Sequence, residues 1–170
     1  MKQISILFMG LFLISISSIT FSQSILKIGH VDINELMASL PERDSAQVLL
    51  DKETKVIQTT YEEMQVIYNK LVDDYQKVQS TLTELVKRAK ESEIVDTQKR
   101  LQEFEQNASK TLQQRNFDLV QPIYNKIIKA IEKVASENGF TYILDVSKGS
   151  VVFISKDSQN IDQLVLALLK

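Results

Sequence analysis

Apolar residues recur through the middle of the chain with a regular spacing. From Ile57 the steps alternate between four and three residues, a 3.5-residue period that is typical of a coiled-coil seam. The stripe consists of Ile57, Tyr61, Met64, Tyr68, Leu71, Tyr75, Val78, Leu82, Leu85 and Ala89. After Ala89 the spacing falls on polar residues, and a second stripe begins out of phase at Ile94, followed by Leu101, Phe104 and Ala108. This change of phase predicts two helices folded into a long hairpin rather than one straight helix.

The charge pattern indicates where the hairpin turns. Lys87, Arg88 and Lys90 suit the negative C-terminal end of a first helix, and Ser92 followed by Glu93 suits the capped start of a second. We therefore predict the tip of the hairpin near residues 90–93.

The predicted arm covers residues 42–138, with about 45 residues in each helix, or roughly 70 Å. Pro41 fits the first helical turn, where a missing N–H has no consequence. Pro122 lies inside the returning helix, where it removes a hydrogen bond and predicts a flex point. Gly139 is the predicted left-handed cap at the end of that helix.

The two ends of the chain predict a small body made of short elements. Asp32 with Glu35 resembles a capping box, and Asn160 with Gln163 resembles another. The predicted elements are strands over 25–33, 140–146 and 151–155, with the last two joined as a hairpin through 147–150, and helices over 33–40 and 161–169. The last helix is apolar nearly all round, which predicts burial. The fold class is α+β, mostly α, with residues 23–41 and 139–170 forming a body in which subunits join.

The first 22 residues have the pattern of a cleaved signal peptide. Lys2 precedes an apolar run, and Thr20 and Ser22 place small residues at the −3 and −1 positions of a cleavage site. A retained membrane anchor is the alternative, but the run is at the short limit for crossing a bilayer. We expect an exported protein.

Composition excludes several classes of function. The chain has no cysteine, hence no disulfide and no thiolate metal site, and its formal charge of −2 becomes −3 when Lys2 is removed. This balance argues against nucleic acid as a partner. His30 is the one histidine, and no phosphate loop, nucleophile elbow or zinc motif is present. We therefore predict no enzyme activity and no cofactor or metal.

Two segments of the chain resemble a known family. KIGHVDINELMASLPERDSAQ at residues 27–47 and QPIYNKIIKAIEKVASENGFTYILDVS at residues 121–147 are similar to the body segments of the Skp/OmpH family of periplasmic chaperones. The resemblance implies a homotrimer whose three hairpin arms enclose a cavity for unfolded outer-membrane proteins, without nucleotide or metal. The best-known members are strongly basic, whereas this chain is mildly acidic, which leaves direct contact with membrane or lipopolysaccharide undecided.

For a holdase of this kind, apolar side chains beside the seam are candidate client contacts. They are Ile67, Val72, Val86, Phe117 and Val120, which could equally widen the seam. An exported coiled-coil spacer or adaptor with one fixed partner is the alternative function. The two candidate functions differ in binding promiscuity, because a holdase protects several unrelated unfolded barrel proteins and an adaptor binds one folded partner.

Overall fold

Two long helices form an antiparallel hairpin, and short elements from both ends of the described chain pack at its base. The structure is a computed structural model that describes residues 26–170, so the predicted signal peptide lies outside the described residues. The elements are β1 (Ile28–Val31), α1 (Ile33–Ala38), α2 (Pro41–Val78), α3 (Glu84–Glu137), β2 (Tyr142–Asp145), β3 (Gln159–Asn160) and α4 (Asp162–Leu169).

Local capping chemistry sets the start of the first helices. Asp32 Oδ1 accepts a hydrogen bond from the Glu35 N–H at 3.0 Å and so caps α1. Pro41 occupies the first turn of α2, where its missing N–H is not needed. Where the arm returns to the body, Gly139 follows α3 with φ +66°, a left-handed conformation that glycine adopts without a steric penalty.

The small sheet is parallel, with the strand order β2-β1-β3. Register pairs Ile28 with Tyr142 and His30 with Leu144 on one side of β1, and His30 with Asn160 on the other. The central strand must approach its neighbours closely at Gly29. A Cβ at that position would lie 2.9 Å from both Ile143 Cδ1 and Phe140 Cε1.

The predicted β-hairpin of residues 140–146 and 151–155 is wrong. Residues 151–155 form no strand, and β2 pairs with β1 instead. The chain leaves the sheet after Asp145, because the Asp145 side chain accepts hydrogen bonds from the N–H and O–H of Ser147 and holds a turn there. The third strand is the polar pair Gln159–Asn160, whose position is fixed when the Ile161 N–H donates to the His30 carbonyl.

The hydrophobic core lies at the base of the hairpin. α3 contributes a buried face of Ile123, Ile127, Ala130, Ile131 and Val134, which packs against β1, α1 and α4. Leu36, Ile127 and Val165 have no exposed surface. Burial of each such side chain stabilises the fold by about 1.5–3 kcal/mol, so most of the hydrophobic stabilisation belongs to the body.

The last helix is less buried than its composition predicts. Val165 and Leu169 face the core, but Leu164 and Leu168 are exposed within the described chain. α4 also begins one residue later than predicted, at Asp162, whose N–H donates to Asn160 Oδ1. A chain that leaves these leucines exposed has apolar surface available for another molecule.

The turn of the long hairpin lies at residues 79–83, not at 90–93 as predicted. α2 ends at Val78 and α3 begins at Glu84, so residues 90–93 lie inside α3. The prediction failed because Leu82 in the turn and Leu85 after it continue the 3.5-residue spacing by coincidence. The helices are therefore unequal, with 38 residues in α2 and 54 in α3, or about 57 and 81 Å.

Candidate functional site

The arm is held in register by polar contacts between its two helices. They occur at the base, in the middle and near the tip, and they are Glu42–Lys126, Glu53–Arg115 and Tyr75–Glu91. Arg115 Nε donates to Glu53 Oε1 at 2.8 Å, and Lys126 Nζ donates to Glu42 Oε1 at 2.6 Å. From Glu42 to the end of α2 the arm extends for about 54 Å.

Two of these contacts also shift pKa values. The hydrogen bond from Lys126 holds the pKa of Glu42 below its usual value. The hydrogen bond to Glu91 raises the pKa of the Tyr75 hydroxyl. Glu42 is exposed and Tyr75 is half-buried, and both lie on the open surface of the arm rather than in a closed pocket, so these shifts indicate structural pairing and not an acid/base site.

Most of the predicted seam residues lie at the contact between α2 and α3 and are half-buried. Those on α2 are Ile57, Tyr61, Met64, Tyr68, Leu71 and Tyr75, and those on α3 are Leu101 and Phe104. Leu82 is half-buried in the turn. Two predicted seam residues are exposed, Val78 at the end of α2 and Leu85, which is 81% exposed in the first turn of α3. Their assignment to the seam is wrong, for the same reason that the predicted turn is wrong.

The sequence prediction missed polar members of the seam. Thr97 is buried in α3, where its hydroxyl donates to the Glu93 carbonyl and accepts from Arg100 Nη2. Near the tip Lys87 and Lys90 take the half-buried positions of α3, so the seam positions at the start of that helix carry no apolar residue. The clue to the turn was the polar cluster Ser80, Thr81 and Thr83, which is typical of a loop.

The five predicted client contacts do not form one patch. Ile67, Val86 and Phe117 are exposed, the first and last over more than half of their surface, whereas Val72 and Val120 are half-buried. The cross-arm contacts set Phe117 level with Asp51, about 16 residues or 24 Å along the arm from Ile67. Val86 lies close to the tip.

Further exposed apolar side chains lie along the arm at positions that the sequence prediction did not select. They are Val48, Leu49, Val56, Val66 and Val95. In addition, a shallow groove between the helices is lined by Ile57, Tyr61, Phe104 and Ala108. The arm thus presents many separate apolar side chains along its length rather than one shaped pocket. Such a surface suits weak contacts with varied sequences.

The described residues provide little for other kinds of site. Within 26–170 no group of three His, Cys, Asp or Glu side chains could hold a metal ion. None of the helices in this part of the chain is long and apolar enough to span a membrane. Pro122 lies within α3 as predicted, but its role as a flex point stays a prediction.

Comparison with known proteins establishes the family. The family described as outer membrane protein (OmpH-like) matches residues 27–169. The chain belongs to this family. A solved Caulobacter crescentus CB15 protein, described as a "putative outer membrane chaperone (OmpH-like)", has the same fold with a TM-score of 0.72 at 11% identity. The match covers 86% of this chain and 85% of that chain. No curated protein sequence matches the chain significantly.

These findings confirm the family resemblance and the fold class predicted from the sequence. The OmpH-like match includes both segments that carried the resemblance, residues 27–47 and 121–147. A long helical hairpin on a small strand-containing body is the architecture observed here and shared with the Caulobacter crescentus protein.

Proposed function

We propose that this OmpH-like protein is an ATP-independent periplasmic holdase. It binds unfolded outer-membrane proteins between the arms of a homotrimer and prevents their aggregation. The observation that carries the proposal is the arm itself. It extends for about 54 Å, and it leaves apolar side chains exposed along its length while the buried core stays at its base.

An unfolded barrel protein exposes alternating apolar residues and unpaired strand edges, which promote aggregation. Single valine, isoleucine and phenylalanine side chains along an arm can cover such residues one at a time. Each contact is weak, but several arms around one client raise the effective concentration of every contact. Release of the client requires no ATP, since a downstream acceptor that binds or folds the client more favourably removes the client by mass action.

A trimer supplies the several arms that this mechanism requires. We place the contacts between subunits in the body, because it carries the most exposed large apolar side chains of the described chain. Val152 and Phe153, between β2 and β3, are 99% and 82% exposed in the described chain. Monomeric proteins rarely leave such neighbouring apolar residues in water. Pro122 and the partly polar middle of α3 would let the arms adapt to clients of different size.

Aggregation assays with altered arms test the proposal. Serine at the exposed candidates Ile67, Val86 and Phe117 removes apolar contact area without touching the core. We expect this triple variant to be less active than the wild type in suppressing the aggregation of several unrelated unfolded barrel proteins. The loss of activity should be at least several-fold. A matched variant with serine at Gln65, Gln106 and Gln113, which are also exposed on the same helices, should keep full activity.

The same assay separates the proposal from the adaptor alternative. If the wild-type protein suppresses aggregation of no unfolded barrel protein and instead captures one folded partner, the holdase function is wrong. If protection is normal in the Ile67, Val86 and Phe117 variant, the holdase function stands but its contact residues are misassigned. Far-UV circular dichroism and native mass confirm that each variant is folded and assembled as the wild type is.

A further inference from the structure

One side of the arm carries a row of tyrosines at regular spacing. Tyr61, Tyr68 and Tyr75 of α2 are half-buried and stand seven residues apart. Since seven residues make two turns of a helix in a coiled coil, the three rings lie on the same side of α2. The row extends for about 21 Å, which matches about six residues of an extended polypeptide.

The structure shows at both ends of the row which part of α3 lies beside the tyrosines. At the end nearer the body, a groove of about 240 Å³ is lined by Tyr61 together with Glu105 and Ala108. At the end nearer the tip, the Tyr75 hydroxyl donates a hydrogen bond to Glu91. Glu91 and Glu105 are fourteen residues apart, so the heptad spacing and both observed contacts place the two carboxylates on the same side of the arm.

The same spacing continues between these two ends. The floor is formed by half-buried aromatic and apolar side chains, which we call the tyrosine groove; they are Tyr61, Tyr68, Tyr75, Ile94, Leu101 and Ala108. Val72, one of the predicted client contacts, is half-buried between Tyr68 and Tyr75 on this side of α2. The rim on α3 is formed by the exposed side chains Glu91, Gln98 and Glu105. An aromatic floor is therefore bordered by carboxylates.

The negative charge of this rim is not compensated within the described chain. Among residues 26–170 neither Glu91 nor Glu105 forms an ion pair with lysine or arginine. Lys87 and Arg115 continue the line of the floor at its two ends, but each of them is already paired with another carboxylate. The tyrosine groove is thus complementary to a ligand that carries positive charge.

We propose that the tyrosine groove binds extended segments of unfolded protein that carry arginine or lysine among apolar residues. The proposal rests on the proposed holdase function and names a class of segment that the arm recognises. Tyrosine rings contact apolar side chains and attract cations over their faces. The rim carboxylates complement the positive charge of such a segment, and the Gln98 amide between them can both donate to and accept from an unpaired backbone.

The shape of the groove favours an extended chain over a folded partner. A folded protein presents one fixed surface, which a shaped pocket recognises best. Here equivalent tyrosines repeat along an open row, so one segment can bind in several registers and different segments can use the same rings. Recognition then depends on the composition of the segment rather than on its exact sequence.

Peptide binding measured by fluorescence anisotropy tests the proposal. The probes are labelled unfolded peptides of about ten residues, in which valine alternates with arginine, valine with glutamate, or serine with arginine. We expect the wild type to bind the valine–arginine peptide about tenfold more tightly than either of the others at low salt. The preference over the glutamate peptide should decrease in about 0.5 M salt, which screens exposed charges.

Two matched double variants locate the effect on the arm. Glu91→Gln with Glu105→Gln removes the charge of the rim and should reduce the preference for arginine over glutamate to about twofold. Glu93→Gln with Glu103→Gln removes the same charge from exposed positions on the opposite side of the α3 seam, and it should keep the wild-type preference. Tyr68→Leu keeps an apolar side chain in the floor and should weaken binding of the valine–arginine peptide several-fold while far-UV circular dichroism stays unchanged.

Several results would overturn the proposal. They are equal binding of the arginine and glutamate peptides by the wild type, equal binding of the serine–arginine and valine–arginine peptides, an unchanged preference in the Glu91 and Glu105 variant, and the same loss in both double variants. Aggregation suppression reports on the holdase function separately. If the peptide preference is present but the wild type protects no unfolded barrel protein, the groove is assigned correctly and the holdase function is wrong. If protection is normal without the preference, the holdase function stands and the groove is misassigned.

Discussion

At the scale of single residues, stability is concentrated in a few side chains of the body. Leu36 on α1 has no exposed surface and packs in the core with residues of α3 and α4. Leu85 is the same residue type, and the sequence pattern predicted it to be part of the arm seam, yet most of its surface is in solvent. The two leucines provide a matched pair for measuring how burial determines stability.

We predict that Leu36→Ala lowers the free energy of unfolding by about 2–5 kcal/mol, because it removes buried surface and leaves a cavity. Leu85→Ala should change it by less than about 0.5 kcal/mol. Urea unfolding followed by circular dichroism measures both variants at the same protein concentration. A loss for Leu85→Ala as large as that for Leu36→Ala would show that Leu85 is packed and that the turn is placed incorrectly.

At the scale of elements, the position of the turn decides which residues of the arm face each other. The observed contacts put residue Lys55 of α2 level with Gln113 of α3, whereas a turn at 90–93 would put Lys55 level with Lys129. Spin labels at Lys55 and Gln113 should therefore lie close together, near the 8–10 Å interaxial distance plus the label length. Labels at Lys55 and Lys129 should be separated by about 24 Å along the arm.

Electron paramagnetic resonance distances distinguish the two arrangements without ambiguity. All three positions are exposed, so the labels do not disturb packing. A short distance for Lys55–Lys129 and a long one for Lys55–Gln113 would favour the turn predicted from the sequence pattern over the one in the structure.

The elements also show what sequence patterns could and could not provide. Periodicity predicted the hairpin, and capping chemistry predicted the starts of α1 and α2 at Asp32 and Pro41, because these signals are local. The turn was misplaced because Lys87 and Lys90 hold seam positions at the start of α3. The parallel sheet was missed because β3 is a polar pair whose partner, His30, is distant in the chain. No local pattern in Gln159–Asn160 reports that contact.

The candidate client contacts were less predictable than the fold. Spacing alone separated seam residues from the rest, but it could not tell that Val72 and Val120 are half-buried while Ile67 and Phe117 are exposed. That difference depends on how the two helices are rotated against each other, which is set by contacts such as Glu53–Arg115. A helix pattern contains no information on the rotation of its partner.

At the scale of the whole molecule, one feature connects the fold to the proposed function. The chain separates a compact base, where the core is buried, from a long arm with a half-buried seam and scattered exposed apolar residues. A single arm of this kind has nothing to enclose. In the proposed trimer, several arms joined at their bases create a space between them, and the exposed apolar side chains of the body are the proposed surface of contact.

The stoichiometry of a client complex tests this account most directly. Native mass spectrometry at pH 7.5, after the protein is mixed with an unfolded barrel protein diluted from urea, gives the number of copies and of clients in one measurement. We predict three copies of this chain with one client, and three copies alone when the client is omitted. A monomer that binds no unfolded client, under conditions in which the arm is folded, would contradict the account.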